Sequence, residues 1–187
     1  MSLKKIALAA LLAASSFAAN ADITILGGKL FAAQTGHVTA EFLGSDAGYT
    51  DILIFDPQGQ NRTLFNGHAT PVGTIIDLGV FTAGTELKFQ LHVNNTGDDF
   101  YTGPASANAD NVFHASALLD GNRRAVLGFE DIRGGGDQDY NDLQFRVTNV
   151  SNISAVPEPS TWGMLLGGMG LLGFMARRRQ KTTRISL

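Results

Sequence analysis

Short runs of alternating apolar and polar residues fill the middle of the chain. The clearest is 86–93, where Leu87, Phe89, Leu91 and Val93 alternate with Lys88, Gln90 and His92. A period of two places one set of side chains on each face of a strand. The same pattern predicts strands at 37–43 and at 143–150, the latter with Leu143, Phe145 and Val147 inward. Compact apolar runs predict further strands at 23–26, 51–55 and 63–65, and over 73–81. Residues 112–119 and 123–129, joined by Asp120-Gly121-Asn122, read as a hairpin. Turn signals such as Asp56-Pro57-Gln58-Gly59 and Ala83-Gly84 separate the runs. About eight short strands with such punctuation predict an all-β fold. The expected architecture is an antiparallel β-sandwich, jelly-roll-like, over residues 22–150.

Both ends depart from this pattern. Residues 1–21 have a basic start at Lys4 and Lys5, an apolar run from Ile6, and a closing Ala19-Asn20-Ala21. These are the three parts of a secretory signal peptide, and cleavage would leave Asp22 first. The expected partner is the Sec export machinery. At the other end, residues 151–159 form a polar linker ending in Pro157-Glu158-Pro159. Residues 160–187 then carry an apolar stretch, expected to be a single hydrophobic helix, and the cluster Arg177-Arg178-Arg179. A helix of about 16–17 residues is roughly 25 Å long, short for a hydrocarbon core of about 30 Å. The arginines would stay cytoplasmic and the domain outside.

Composition narrows the function. Residues 22–150 hold 16 Asp and Glu against 7 Lys and Arg, a net charge of −9, while the other basic residues sit at the two ends. An acidic domain argues against nucleic acid and for cations or neutral sugars. There is no cysteine, which excludes disulfides, a thiol nucleophile and a thiolate zinc site. The four histidines form no H-E-x-x-H pattern, and no G-x-S-x-G is present. Enzymatic activity is therefore not expected.

The candidate chemistry lies between the last two long strands. Glu130, Asp131, Asp137, Asp139 and Asp142 fall close together, opposed within the stretch by Arg133 alone, with Gly134-Gly135-Gly136 among them. Asp137, Asp139 and Asn141 stand at i, i+2 and i+4, each with a side-chain oxygen. In a tight loop that spacing turns oxygens toward one centre, as in the first half of an EF-hand. The rest of an EF-hand is missing, since Asp142 and Thr148 stand where Gly and Glu would be needed. Two readings stay open: a hard-cation loop of another type, and a solvated acidic turn. On the first, Ca²⁺ is the expected cofactor. Asp137, Asp139 and Asn141 would be in-line ligands, with Asp131, Asp142 and Glu130 completing or orienting the shell. Asp46, Asp51, Asp98, Asp99 and Asp110 would be further donors from neighbouring loops, although Asp98-Asp99 reads first as a solvated turn. Tyr140 is expected to pack on the core.

Two resemblances attach to these residues. Gly128-Phe129-Glu130-Asp131 and Gly135-Gly136-Asp137-x-Asp139-Tyr140-Asn141-Asp142-Leu143-x-Phe145 resemble the signature of domain-of-unknown-function family 4114. The run Gly103-Pro104-Ala105-Ser106-x-Asn108-x-Asp110, with His114 after it, is similar to that family too. The resemblance implies a β-rich extracellular domain, associated with calcium, without an established activity. Pro157-Glu158-Pro159, the Gly-rich apolar span and the Arg cluster together resemble the PEP-CTERM sorting signal. That implies recognition and processing by an exosortase in the inner membrane, with delivery to the cell surface or the extracellular polysaccharide matrix. The alternative for the tail is a permanent single-span anchor. For the domain, the alternative to a calcium-stabilised surface protein is a module that binds exopolysaccharide. A hydrolase, or an ice binder with a flat Thr array, fits the pattern less well.

Overall fold

A computed structural model describes residues 22–56 and 59–154. The signal peptide expected over 1–21, with its cleavage residues Ala19 and Ala21, lies outside the described residues. So do Pro157, Glu158 and Pro159, the hydrophobic helix, and Arg177, Arg178 and Arg179.

Nearly all the regular secondary structure of the described residues is strand. In order these are β1 (Ile23–Leu26), β2 (Leu30–Ala32), β3 (Gly36–Gly44), β4 (Asp51–Phe55), β5 (Arg62–Asn66), β6 (Ile75–Phe81) and β7 (Glu86–Leu87). There follow β8 (Phe89–Val93), β9 (Asp98–Tyr101), β10 (Ala115–Asp120), β11 (Arg124–Phe129), β12 (Leu143–Thr148) and β13 (Val150–Ser151). One 3₁₀ turn, Ala105–Ala107, interrupts them. A six-stranded sheet has the order β1-β10-β11-β12-β3-β6, a four-stranded sheet β5-β4-β8-β9, and a small sheet β13-β2-β7. Every pairing is antiparallel.

Alternation explains the layering. Val38, Ala40 and Phe42 on β3, and Leu143, Phe145 and Val147 on β12, are all buried. Leu53 and Phe55 on β4, and Phe89, Leu91 and Val93 on β8, are buried from the opposite side. Aromatic pairs join the two larger sheets. Ring centroids are 4.9 Å apart for Phe89 and Phe145, 5.4 Å for Phe42 and Phe65, and 5.7 Å for Phe55 and Phe81. Burial of each phenylalanine is worth about 1.5–3 kcal/mol, and edge or tilted pairs add to that. The fold is the all-β antiparallel sandwich that the pattern predicts.

Four local differences have physical causes. The run 86–93 divides at Lys88: β7 pairs with β2, whereas β8 pairs with β4 and β9. The run 143–150 divides at Asn149, whose φ of 58° is left-handed. Asn tolerates that conformation, and the bend moves Val150 and Ser151 into the small sheet. Leu30–Ala32, too short to show a period, is a strand. Asp98 and Asp99 lie in β9, not in a solvated turn: Asp99 accepts a hydrogen bond from Gln90 Nε2 at 2.7 Å and faces His92 Nδ1 at 2.7 Å.

The connection 45–50 sets up the site. It carries the chain from the end of β3 in one sheet to the start of β4 in the other. The 130–142 loop joins β11 to β12 at the same end, since Phe129 pairs with Leu143, and Gly44 with Gln144. The two connections touch, with the Asp46 amide donating to the Asn141 carbonyl at 3.2 Å.

Candidate metal centre

The last residue of β11 is the buried Phe129, and Glu130 and Asp131 follow it. Successive side chains leaving a strand point to opposite sides. The two acids therefore meet different partners, and the six candidate residues form two neighbouring groups linked through Asp142, whose charge acts on both Glu130 and Asp131.

The first group gathers around Glu130. Carboxylate oxygens of Glu130, Asp137 and Asp139 all lie within 4.8 Å of one another. Glu130 is buried, while Asp137 and Asp139 are exposed. The loop reaches this arrangement through left-handed residues at Gly134, Gly135, Gly136, Gln138 and Tyr140. Gly136, at φ 52°, also lies so close to Glu130 that a Cβ there would collide with Oε2. Gly128 is required for a second close approach, because a Cβ there would meet the Tyr140 carbonyl oxygen. The Tyr140 amide donates to Glu130 Oε1 at 2.5 Å. Tyr140 itself is half-buried and lies outside the hydrophobic core, contrary to the packing expected from its ring. Asn141 supports Asp139 instead of standing apart from it: its Nδ2 donates to Asp139 Oδ2 at 2.6 Å, and its amide to Oδ1 at 3.2 Å.

The second group faces the other sheet. Asp131 stands against Asp142 on one side and Asp51, the first residue of β4, on the other. Asp142 Oδ2 accepts the Asp131 amide at 2.8 Å. Asp51 and Asp131 are buried, at 0% and 2% exposure. Burial, then the charges of Asp131 and Asp142, push the Asp51 carboxyl up to about 7. Burial and Asp142 raise Asp131, and burial raises Asp142. Glu130 is raised as well, chiefly by burial, against the opposing Tyr140 amide.

A scaffold of opposite character holds the loop from behind. His114 is fully buried and stacked on Phe100, with ring centroids 3.7 Å apart. Its Nδ1 faces the Glu130 carbonyl oxygen at 3.1 Å, and its Nε2 faces Asp110 Oδ2 at 2.8 Å. Asp110 Oδ2 also accepts the Gly134 amide at 2.9 Å. Burial alone would raise Asp110, but the Gly134 amide, the His114 ring and the Val112 amide outweigh it and hold the carboxyl at about 2. Arg133, the one basic residue of the loop, is turned away to Asp98 at 2.5 Å. Asp51, Asp98 and Asp110 were visible in the sequence only as acids near turns. Nothing in the spacing distinguishes the one that meets Asp131 from the two that brace the loop.

The raised carboxyls fix a pH response for the protein held in chelator. Asp51, Asp131, Asp142 and Glu130 bind protons more tightly in the folded chain than in the unfolded one, where carboxylates titrate near 4. The contribution of Asp51 is full below about pH 4 and is lost as pH rises towards about 7, that of Asp131 is lost towards about 6, and Asp142 and Glu130 act in the same direction. The opposing loss of the Asp110 contribution falls lower, between about pH 4 and pH 2. Thermal melts in chelator should therefore show a lower Tm at pH 8 than at pH 5. A Tm that is level or rising over that interval contradicts the geometry of this cluster.

Comparison with known proteins places the loop in context. Residues 81–149 match a family described as a domain of unknown function, DUF4114. The match takes in β7 to β12, and so includes His114, Asp110 and the whole acidic loop, but not Asp51. Residues 155–179 match the PEP-CTERM protein-sorting motif. No curated protein matches the chain. The chain accordingly carries a PEP-CTERM sorting motif, which supports export and association with the cell envelope, and its β-domain contains a DUF4114 match.

Proposed function

We propose that the domain is a non-catalytic, calcium-stabilised module displayed at the cell surface or in the extracellular matrix. The observation that supports it best is the convergence of Glu130, Asp137 and Asp139 oxygens within 4.8 Å. Hard oxygen donors with no His or Cys among them favour Ca²⁺ over zinc or copper. The Gly136 position fits the same purpose, since a side chain there would displace Glu130. Asn141 orients Asp139 through its amide. Bound cation would offset the repulsion among these carboxylates and hold the β11–β12 connection closed. Acid/base hydrolysis instead uses two carboxyls facing each other across a substrate, and this cluster is folded in on itself.

Affinity on the order of 10⁻⁴–10⁻³ M serves an extracellular module. At tenfold excess over Kd, binding to the folded state adds about 1.4 kcal/mol, or roughly 3–6 °C in Tm. Calcium should raise the Tm by that amount over chelator, and magnesium by less. Asp139→Ala should remove most of the rise. Equal melting temperatures in calcium, magnesium and chelator would return the loop to a solvated acidic turn.

The sorting motif implies an exosortase-type partner. We propose that the hydrophobic tail passes only transiently through the membrane. Protein released from the cell surface should begin at Asp22 and lack everything beyond about residue 160 by intact mass, given a span of about 25 Å against a core of about 30 Å. Full-length protein extracted only by detergent would establish the permanent anchor instead.

One observation favours a second reading, retention of exopolysaccharide. A cleft of about 410 Å³ beside the loop is lined by Asp98, Asp99, Tyr101, Asn108, Asp110 and Arg133. Its size suits a small ligand, and Tyr101 offers an aromatic face at 37% exposure. Glycan-array binding lost in Tyr101→Ala would support this reading, and an empty array would count against it.

A further inference from the structure

We propose a second cation site, in which Asp51, Asp131 and Asp142 hold a calcium-class divalent cation that ties the four-stranded sheet to the six-stranded one. The proposal goes beyond the exposed loop cluster and stands on a different observation. Asp51 is completely buried, and neither of its carboxylate oxygens has a hydrogen-bond partner. Asp131 Oδ2 is bare in the same way. Among the described residues these three atoms are the only buried side-chain polar atoms left without a partner. The other buried polar side chains are all engaged: Gln90 with Asp99, Thr102 with Phe89, Asn108 with Val112, His114 with Asp110, and Glu130 with Tyr140.

The bare atoms of Asp51 and Asp131 lie at the junction of the two large sheets, in a group more open than the loop cluster, whose three carboxylates are the ones among the described residues that converge within 4.8 Å. Asp51 opens β4, Asp131 follows β11, and Asp142 precedes β12. The charges that act on Asp51 come from Asp131 and Asp142, so acid faces acid with no basic side chain between them. Arg133 is occupied by Asp98. An isolated buried carboxylate costs several kcal/mol after relaxation, and buried polar atoms in native proteins nearly always have partners. A trapped water would satisfy hydrogen bonds but leave the charge. One proton shared between Asp51 and Asp131 would reach at most two of the three bare oxygens and leave Asp142 charged beside them. A hard divalent cation takes six to eight oxygens in flexible geometry and offsets charge from all three residues at once. Its ligands would come from both large sheets, so the ion would fasten the two layers at the end where the 45–50 connection crosses between them.

The test is calcium stoichiometry on the purified full chain, stripped with chelator and reloaded with calcium alone. Wild type should bind two ions per chain. Asp51→Asn and Asp142→Asn should each bind one, and Asp139→Asn, which removes a donor of the loop cluster and none of the buried site, should also bind one. The Asp142 variant supplies the same readout if Asp51→Asn fails to fold. A folded Asp51→Asn or Asp142→Asn protein that keeps the wild-type calcium number overturns the proposal, most plainly if its Tm rises through relief of repulsion. The two sites are separable. One ion in wild type that Asp139→Asn removes and Asp51→Asn leaves would refute the buried site and keep the loop. One ion with the opposite response would refute the loop and keep the buried site. No bound calcium would refute both.

Discussion

Like charge crowded at one end of a hydrophobic sandwich is the constraint on which this structure depends. Asp51, Glu130, Asp131, Asp137, Asp139 and Asp142 meet there, and Arg133 is committed to Asp98. Two unit charges about 4 Å apart interact by about 4 kcal/mol at an effective dielectric of 20. Burial of Phe129 and Phe145, the apolar anchors on either side of the loop, contributes about 1.5–3 kcal/mol each. A few uncompensated carboxylate pairs would therefore cancel the anchoring that the loop requires. Neutralisation, by protons at low pH or by the proposed cations near neutrality, would relieve that repulsion at the β11–β12 connection.

The rest of the loop is built to keep the carboxylates together. His114 and Asp110 hold the Glu130 carbonyl and the Gly134 amide from the core side. Gly128 and Gly136 let backbone and carboxylate approach to distances that no side chain permits. Gln138 and Tyr140 accept left-handed backbone at positions where glycine is absent, a conformation that costs about 1–2 kcal/mol per residue. Unfavourable backbone and unfavourable charge at the same place fit a functional site better than a plain turn.

Much of the sandwich was legible in the chain because alternation and turn residues are local. Ile23–Leu26 and Asp51–Phe55 are strands at the boundaries that the pattern predicts. Lys88 was not legible as a break, because alternation continues through it while the hydrogen-bond partners change sheet; at Asn149 the alternation does fail, with a polar residue where an inward one is due and Val150 out of phase, and the strand changes sheet there. The acidic loop was visible as a cluster, and its i, i+2 spacing does bring Asp137 and Asp139 together. Its division was harder to see. Adjacent residues such as Glu130 and Asp131 point apart at a strand end, and of the acids only Glu130, Asp137 and Asp139 converge within 4.8 Å among the described residues. Asp51 lies far from Asp131 in sequence and is brought to it only by the crossing of 45–50 between sheets. No local signal carries that information.

Export gives the loop its setting. A protein carrying a PEP-CTERM motif leaves a calcium-poor cytoplasm for surroundings where even modest affinity keeps a site filled. Closure of the sandwich end would then follow export, with unopposed carboxylates relaxed by the first ions met outside. The most direct check is diffraction from crystals grown with calcium, read through the anomalous signal of the ion. The account predicts a peak among the carboxylates of Glu130, Asp137 and Asp139. An ordered loop with those three side chains in place and no anomalous peak between them would contradict it.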